Sequence, residues 1–231
     1  MLAQHFASAA DYGIRAGLAV VVMLITIIGG RVVPSFTRNW LARENPGRMP
    51  APFGRFDMIV IVASAVALVC WIAFPHGLPS GAILMIAAVF QCARLARWAG
   101  DRAAREPLVL ILHLGYAFIP IGFLLTGLAA FDLILAAAGT HAWAGGAVGT
   151  MTLAVMTRAT LGHTGNALIA SRATQAIYAA VLIAAVARVA AALGPAYGMP
   201  LLIAAAAFWA AAFLGFGAAY GPILLTAQPR A

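Results

Sequence analysis

His141-Ala-Trp-Ala-Gly-Gly-Ala-Val-Gly-Thr150-Met151-Thr152-Leu-Ala-Val-Met156-Thr-Arg158-Ala-Thr160-Leu-Gly-His163-Thr-Gly165 is long enough to cross a bilayer. Yet it holds two histidines, an arginine, five threonines and two methionines. Such a run is too polar for a passive lipid anchor. Polar and metal-binding side chains in a membrane span point to function by default. If this segment spans, the weight of the chemistry lies inside the membrane.

The rest of the chain makes the membrane reading secure. Of 231 residues, 64% are hydrophobic and 9% charged, against about 25% charged in a soluble domain. Seven apolar spans are expected near Gly13–Val33, Phe56–Phe74, Ser80–Trp98, Pro107–Leu128, His141–Thr160, Thr174–Leu193 and Pro200–Tyr220. Each approaches the roughly 20 residues needed to cross the hydrocarbon core as a helix. The runs are continuous rather than alternating, which excludes a barrel. The expected fold is all-α: a polytopic transmembrane helix bundle of seven helices, one domain over residues 1–231.

The net charge of +8 comes from arginine alone, for the chain has no lysine. The arginines gather in alternate loops, with no basic patch interleaved with exposed aromatics, so nucleic-acid binding is not expected. Arg31, Arg38, Arg43, Arg48 and Arg55 flank the first loop, Arg94, Arg97, Arg102 and Arg105 the third, and Arg158 and Arg172 the fifth. The second loop has no arginine, and Asp132 is the charge of the fourth. The positive-inside rule then puts the N-terminus outside and the C-terminus inside. Cys70 and Cys92 sit in different spans near opposite faces and read as buried small residues.

The histidines define the candidate sites. His141 and His163 are 22 residues apart, close to six turns. A continuous helix would separate them by about 33 Å along one face, so one iron cannot take both. His113, in the fourth span, falls on the same membrane side as His163. These two are the candidate pair for a metal or haem, with Tyr116 one turn beyond His113. Each is also readable as an interhelical hydrogen-bonder. His141 is a competing outer ligand, with His76 as a partner. Gly145, Gly149, Thr152, Met156, Thr160 and His163 form a stripe at helical spacing, readable as a close-packing face. Met156 is a soft thioether that suits copper. Arg158 and Arg31 stand where an anionic group would need them.

Three blocks resemble the signatures of the NnrS family, membrane proteins linked to nitric oxide metabolism that carry haem and copper. They are Gly29-Gly30-Arg31-Val-Val-Pro34-Ser-Phe36-Thr37-Arg38-Asn39-Trp40, His113-Leu-Gly-Tyr116-Ala-Phe-Ile-Pro120-Ile-Gly122 and the His141–Gly165 run. The resemblance implies a haem- and copper-binding protein of the nitric oxide or nitrosative-stress response in a bacterial inner membrane, with nitric oxide as a partner. It also implies that this chain corresponds to the C-terminal part of a longer pattern. The family's early His-Glu motif has no counterpart here, which implies either an incomplete site or one completed by a partner subunit. Two other classes stay open. A transporter or metal exporter would use the polar stripe as its path, although no intramembrane Asp or Glu is expected. An accessory subunit of a respiratory complex would co-purify with its partner.

Overall fold

The computed structural model describes the backbone of residues 2–45, 47–194 and 198–226, and side chains from residue 11 onward within those ranges. Nine α-helices join into seven rods among these residues. α1 (Leu2–Leu24) runs through a π-helical turn, Ile25–Gly29, into α2 (Gly30–Glu44). α3 (Arg55–Ala73), α4 (Leu78–Ala96) and α5 (Pro107–Ala130) follow as single rods. α6 (Ala136–His141) passes through a longer π-helical segment, Ala142–Gly149, into α7 (Thr150–His163). α8 (Arg172–Leu193) and α9 (Gly198–Thr226) complete the bundle.

Six of the rods are long and apolar enough to cross a membrane, and the α6–α7 rod is not among them. That is the segment whose polarity stood out in the sequence. The first apolar stretch, Asp11–Glu44, has 34 residues. At 1.5 Å per residue it is about 51 Å long, well beyond a ~30 Å hydrocarbon core. A rod of that length exceeds the apolar slab unless strongly tilted, and α2, with Arg31, Arg38 and Arg43, is its polar end.

Local chemistry sets the boundaries. Proline opens α5, where its missing N–H costs nothing, and the Glu106 side chain accepts a hydrogen bond from Leu108 N at 3.1 Å. Ser171 caps α8 by accepting from Thr174 N at 3.1 Å. Consecutive rods run in opposite directions. The loops 45–54, 97–106 and 164–171 consequently share one face, and most of the arginines lie there.

α5 is the hub. Of its most apolar window 72% is buried, against 17% for α9. It meshes with the π segment through reciprocal notches. A Cβ on Gly122 would lie 2.2 Å from Trp143, and one on Gly146 would lie 2.3 Å from Phe118. Each large ring thus occupies space that any other residue would fill. Trp143 donates to Ile119 O at 3.1 Å and meets Trp71 and Phe123 edge-on at 5.3 and 5.1 Å. Its polar N–H is satisfied, which makes so large a buried ring favourable.

Candidate functional site

Two arrangements of polar side chains flank the Gly29–Gly30 step, one closed and one open. The closed one is a ladder across α3, α4 and α5. Arg94 is fully buried. It donates from Nε to Asp57 Oδ1 at 2.9 Å, and from Nη1 to Thr26 O at 2.9 Å and Tyr116 Oη at 3.2 Å. Tyr116 in turn donates to Gln91 Oε1 at 2.8 Å, and Gln91 donates to Ser64 Oγ at 2.8 Å. Thr26 lies in the π turn. There the regular i→i−4 ladder is interrupted, which leaves its carbonyl for a side chain. A Cβ on Gly30 would meet Arg94 Nη2 at 2.2 Å, so glycine is what lets the guanidinium reach this depth.

Two sequence readings are corrected here. Arg94 is no loop charge, because its side chain turns into the bundle. Against the expectation of no intramembrane Asp or Glu, Asp57 is buried in the first turn of α3. A carboxylate buried inside the helix bundle therefore exists, but it is ion-paired. A charge buried in a low-dielectric interior needs such a partner.

The open arrangement is a groove of about 810 Å³ between the first rod and α7. Leu24, Ile28, Gly29 and Phe36 form one wall, and Met151, Thr152, Met156, Arg158 and His163 line the other. Both π segments contribute, through Ile25–Gly29 and Val148. π turns inside helices are frequent at functional sites. The Arg158 guanidinium sits 3.9 Å over the Phe36 ring and makes no hydrogen bond to the described residues. Arg158 also lines an adjoining polar recess of about 250 Å³ with Arg43, Arg105, Glu44 and Glu106. The groove is thus mainly apolar along its length and opens at one end on a charged recess in which arginine exceeds glutamate.

The candidate residues fall into separate places. His163, Met156 and Arg158 share the groove. His113 does not line it: its Nε2 lies 2.8 Å from Thr37 Oγ1, and its ring meets Trp98 edge-on at 6.5 Å. Tyr116 belongs to the closed ladder. Arg31 is exposed, 5.1 Å over Phe53, and does not line the groove. His141 lines a different crevice with Arg188 and Trp209. His76 contacts Asp132 at 3.3 Å, both exposed, rather than His141. Among the described residues, no three His, Cys, Asp or Glu side chains gather into a group that could hold a metal ion.

The expected single face of the fifth span is also corrected. Gly145 lies with His141 in the crevice, Gly149 packs against Trp209, and Thr152, Met156 and His163 face the groove. Residues Ala142–Gly149 are π-helical. Their wider turn shifts the phase of everything beyond them, and a stripe drawn at 3.6 residues per turn does not survive.

The family model described as "NnrS protein" matches residues 1–228. The chain belongs to the NnrS family. It is accordingly a membrane protein of the nitric oxide response. No match was found among curated proteins or among solved structures. Two of the three NnrS-like blocks noted above meet at the groove: the Gly29–Phe36 stretch forms part of one wall and the Met151–His163 stretch part of the other. The third supplies Gly115, whose missing Cβ leaves room for Met151 Sδ, at 3.1 Å from where that Cβ would stand.

Proposed function

We propose that the groove between the first rod and α7 holds haem, and that this NnrS protein acts on or senses nitric oxide there. One observation carries the reading: Arg158, with no hydrogen bond to the described residues, stands where a long apolar groove meets a polar recess whose arginines, Arg43, Arg105 and Arg158 itself, outnumber its carboxylates, Glu44 and Glu106. A flat apolar macrocycle with acidic substituents matches that polarity. The donor set fits as well. His163 offers an imidazole and Met156 a thioether, both established axial ligands of haem iron. The thioethers of Met151 and Met156 also suit copper as a second metal. Haem iron, when bound, supplies the coordination chemistry for a diatomic gas. The chain's own part is narrower. Arg158 would neutralise a carboxylate near the membrane surface, where unpaired anions are costly, while Arg43 and Arg105 face Glu44 and Glu106 in the recess. Phe36 holds the Arg158 guanidinium flat, and Leu24 and Ile28 exclude water. The arginine-rich face is placed in the cytoplasm by the positive-inside rule.

The test is absorbance and metal analysis of the purified full-length chain, expressed with haem supplied. A Soret band is expected. His163→Ala should abolish it, and Arg158→Ala should lower haem occupancy without moving the band. His113→Ala and His141→Ala should leave it in place. Bleaching by His113→Ala or His141→Ala alone would move the ligand elsewhere, and a colourless wild-type protein sinks the reading.

A further inference from the structure

A second cavity, of about 560 Å³, lies at the opposite face between α8, α9 and the π segment Ala142–Gly149. Its walls are apolar, with small residues such as Gly145, Ala184 and Ala205 beside the large ring of Trp209. Two polar side chains enter it, His141 and Arg188. Arg188 lies five residues before the end of α8, about 8 Å along the helix. Neither side chain makes a hydrogen bond, an ion pair or a ring contact with the described residues. No carboxylate lines the cavity. Arg188 is half-buried and has no acidic partner among the lining residues, which leaves its donors available to an anionic ligand. A Cβ on Gly145 would meet nothing within 4 Å, so open space adjoins the two polar side chains.

We propose that this crevice binds the phosphate headgroup of an anionic phospholipid, held by Arg188 and His141. Charge complementarity supports it: a guanidinium makes paired hydrogen bonds to phosphate oxygens. The small side chains beyond offer an apolar slot for one acyl chain. The crevice shares no lining residue with the haem groove, so the two proposals stand or fall separately.

The experiment is native mass spectrometry of the full-length protein in detergent, titrated with phosphatidylglycerol or phosphatidylcholine. Wild type should retain phosphatidylglycerol preferentially. Arg188→Gln should weaken that retention at least tenfold, while Arg172→Gln, an exposed arginine on the other face, should leave it unchanged. Gly145→Leu fills the slot without touching either polar group and should also expel the lipid, so the question is decided even if Arg188→Gln fails to fold. Excess inorganic phosphate should not displace the lipid. Equal retention in Arg188→Gln and Gly145→Leu overturns the proposal. So does displacement by free phosphate, or loss of the Soret band in Gly145→Leu, which would make the crevice a haem pocket.

Discussion

Arg94 and Arg158 are both arginines within helices of a membrane bundle, and the chain treats them in opposite ways. Arg94 is wholly buried and bonded to Asp57, Thr26 and Tyr116. Arg158 has an aromatic ring beneath it and no hydrogen bond to the described residues. Even at mid-membrane an arginine costs about 2.5–3.5 kcal/mol on insertion scales, an upper bound for these two residues near helix ends. Arg94 offsets that cost inside the protein through Nε and Nη1, while Nη2 is buried without a hydrogen-bond partner among the described residues. Arg158 keeps its donors uncommitted and faces a groove. The two lie on either side of the Gly29–Gly30 step, so one stretch of the first rod separates a structural charge from a binding one.

The largest way to break this contrast is to delete each arginine in turn. Arg94→Ala leaves Asp57 buried without its main partner and should destabilise the protein by about 3–5 kcal/mol, the scale of a broken buried pair. Arg158→Ala should cost about 0.5–2 kcal/mol, the scale of a ring-stacked cation. Thermal unfolding in detergent reads both. Equal losses would mean that the groove arginine is also structural.

The contrast was only half legible from sequence. The rods were legible, because continuous apolar runs of membrane length have few alternatives. Arg94 was not, because a positive charge at the end of an apolar run normally sits in a loop. A usable signal did exist. Asp57 and Ser64 lie seven residues apart on α3, and Gln91 and Arg94 three apart on α4. Each spacing keeps its pair on one face of its helix, so neighbouring helices can turn the two polar pairs toward each other. The splitting of the fifth-span stripe had no such signal, because π-helical residues such as Ala142–Gly149 carry no distinctive spacing. Depth placed His113 and His163 on one side of the membrane. It could not say that His113 would face Thr37 while His163 faced the groove.

A middle-sized effect sharpens the role of the glycine step. Gly30→Ala puts a Cβ 2.2 Å from Arg94 Nη2. The arginine must shift, and the expected cost is about 1–3 kcal/mol, as for overpacking elsewhere. Gly162→Ala, on the groove side, meets nothing within 4 Å. It should stabilise α7 by about 0.5–1 kcal/mol through helix propensity. Opposite signs in one thermal series would show that the closed side is filled and the open side is not. A loss at both positions would mean that the groove closes more tightly than its walls suggest.

The smallest effect lies outside the membrane and tests whether ion pairs matter here only when buried. Arg48 Nη2 meets Asp101 Oδ2 at 2.5 Å, joining the loops 45–54 and 97–106, with the side chains 56% and 65% exposed. Hydrogen bonding from Arg48 is the main cause that holds the Asp101 carboxyl below its ordinary value. A carboxyl whose folded pKa is depressed contributes its stability above the unfolded value and loses it as pH falls through the folded one. Asp101→Asn should therefore differ from wild type most at neutral pH, and the two should converge in acid. Because water and salt screen an exposed pair, the neutral difference should be the smallest in the series and should shrink as salt rises. A gap that widens in acid would reverse the sign of the linkage. A gap as large as that of Arg94→Ala would end the distinction between buried and exposed charge on which the comparison rests.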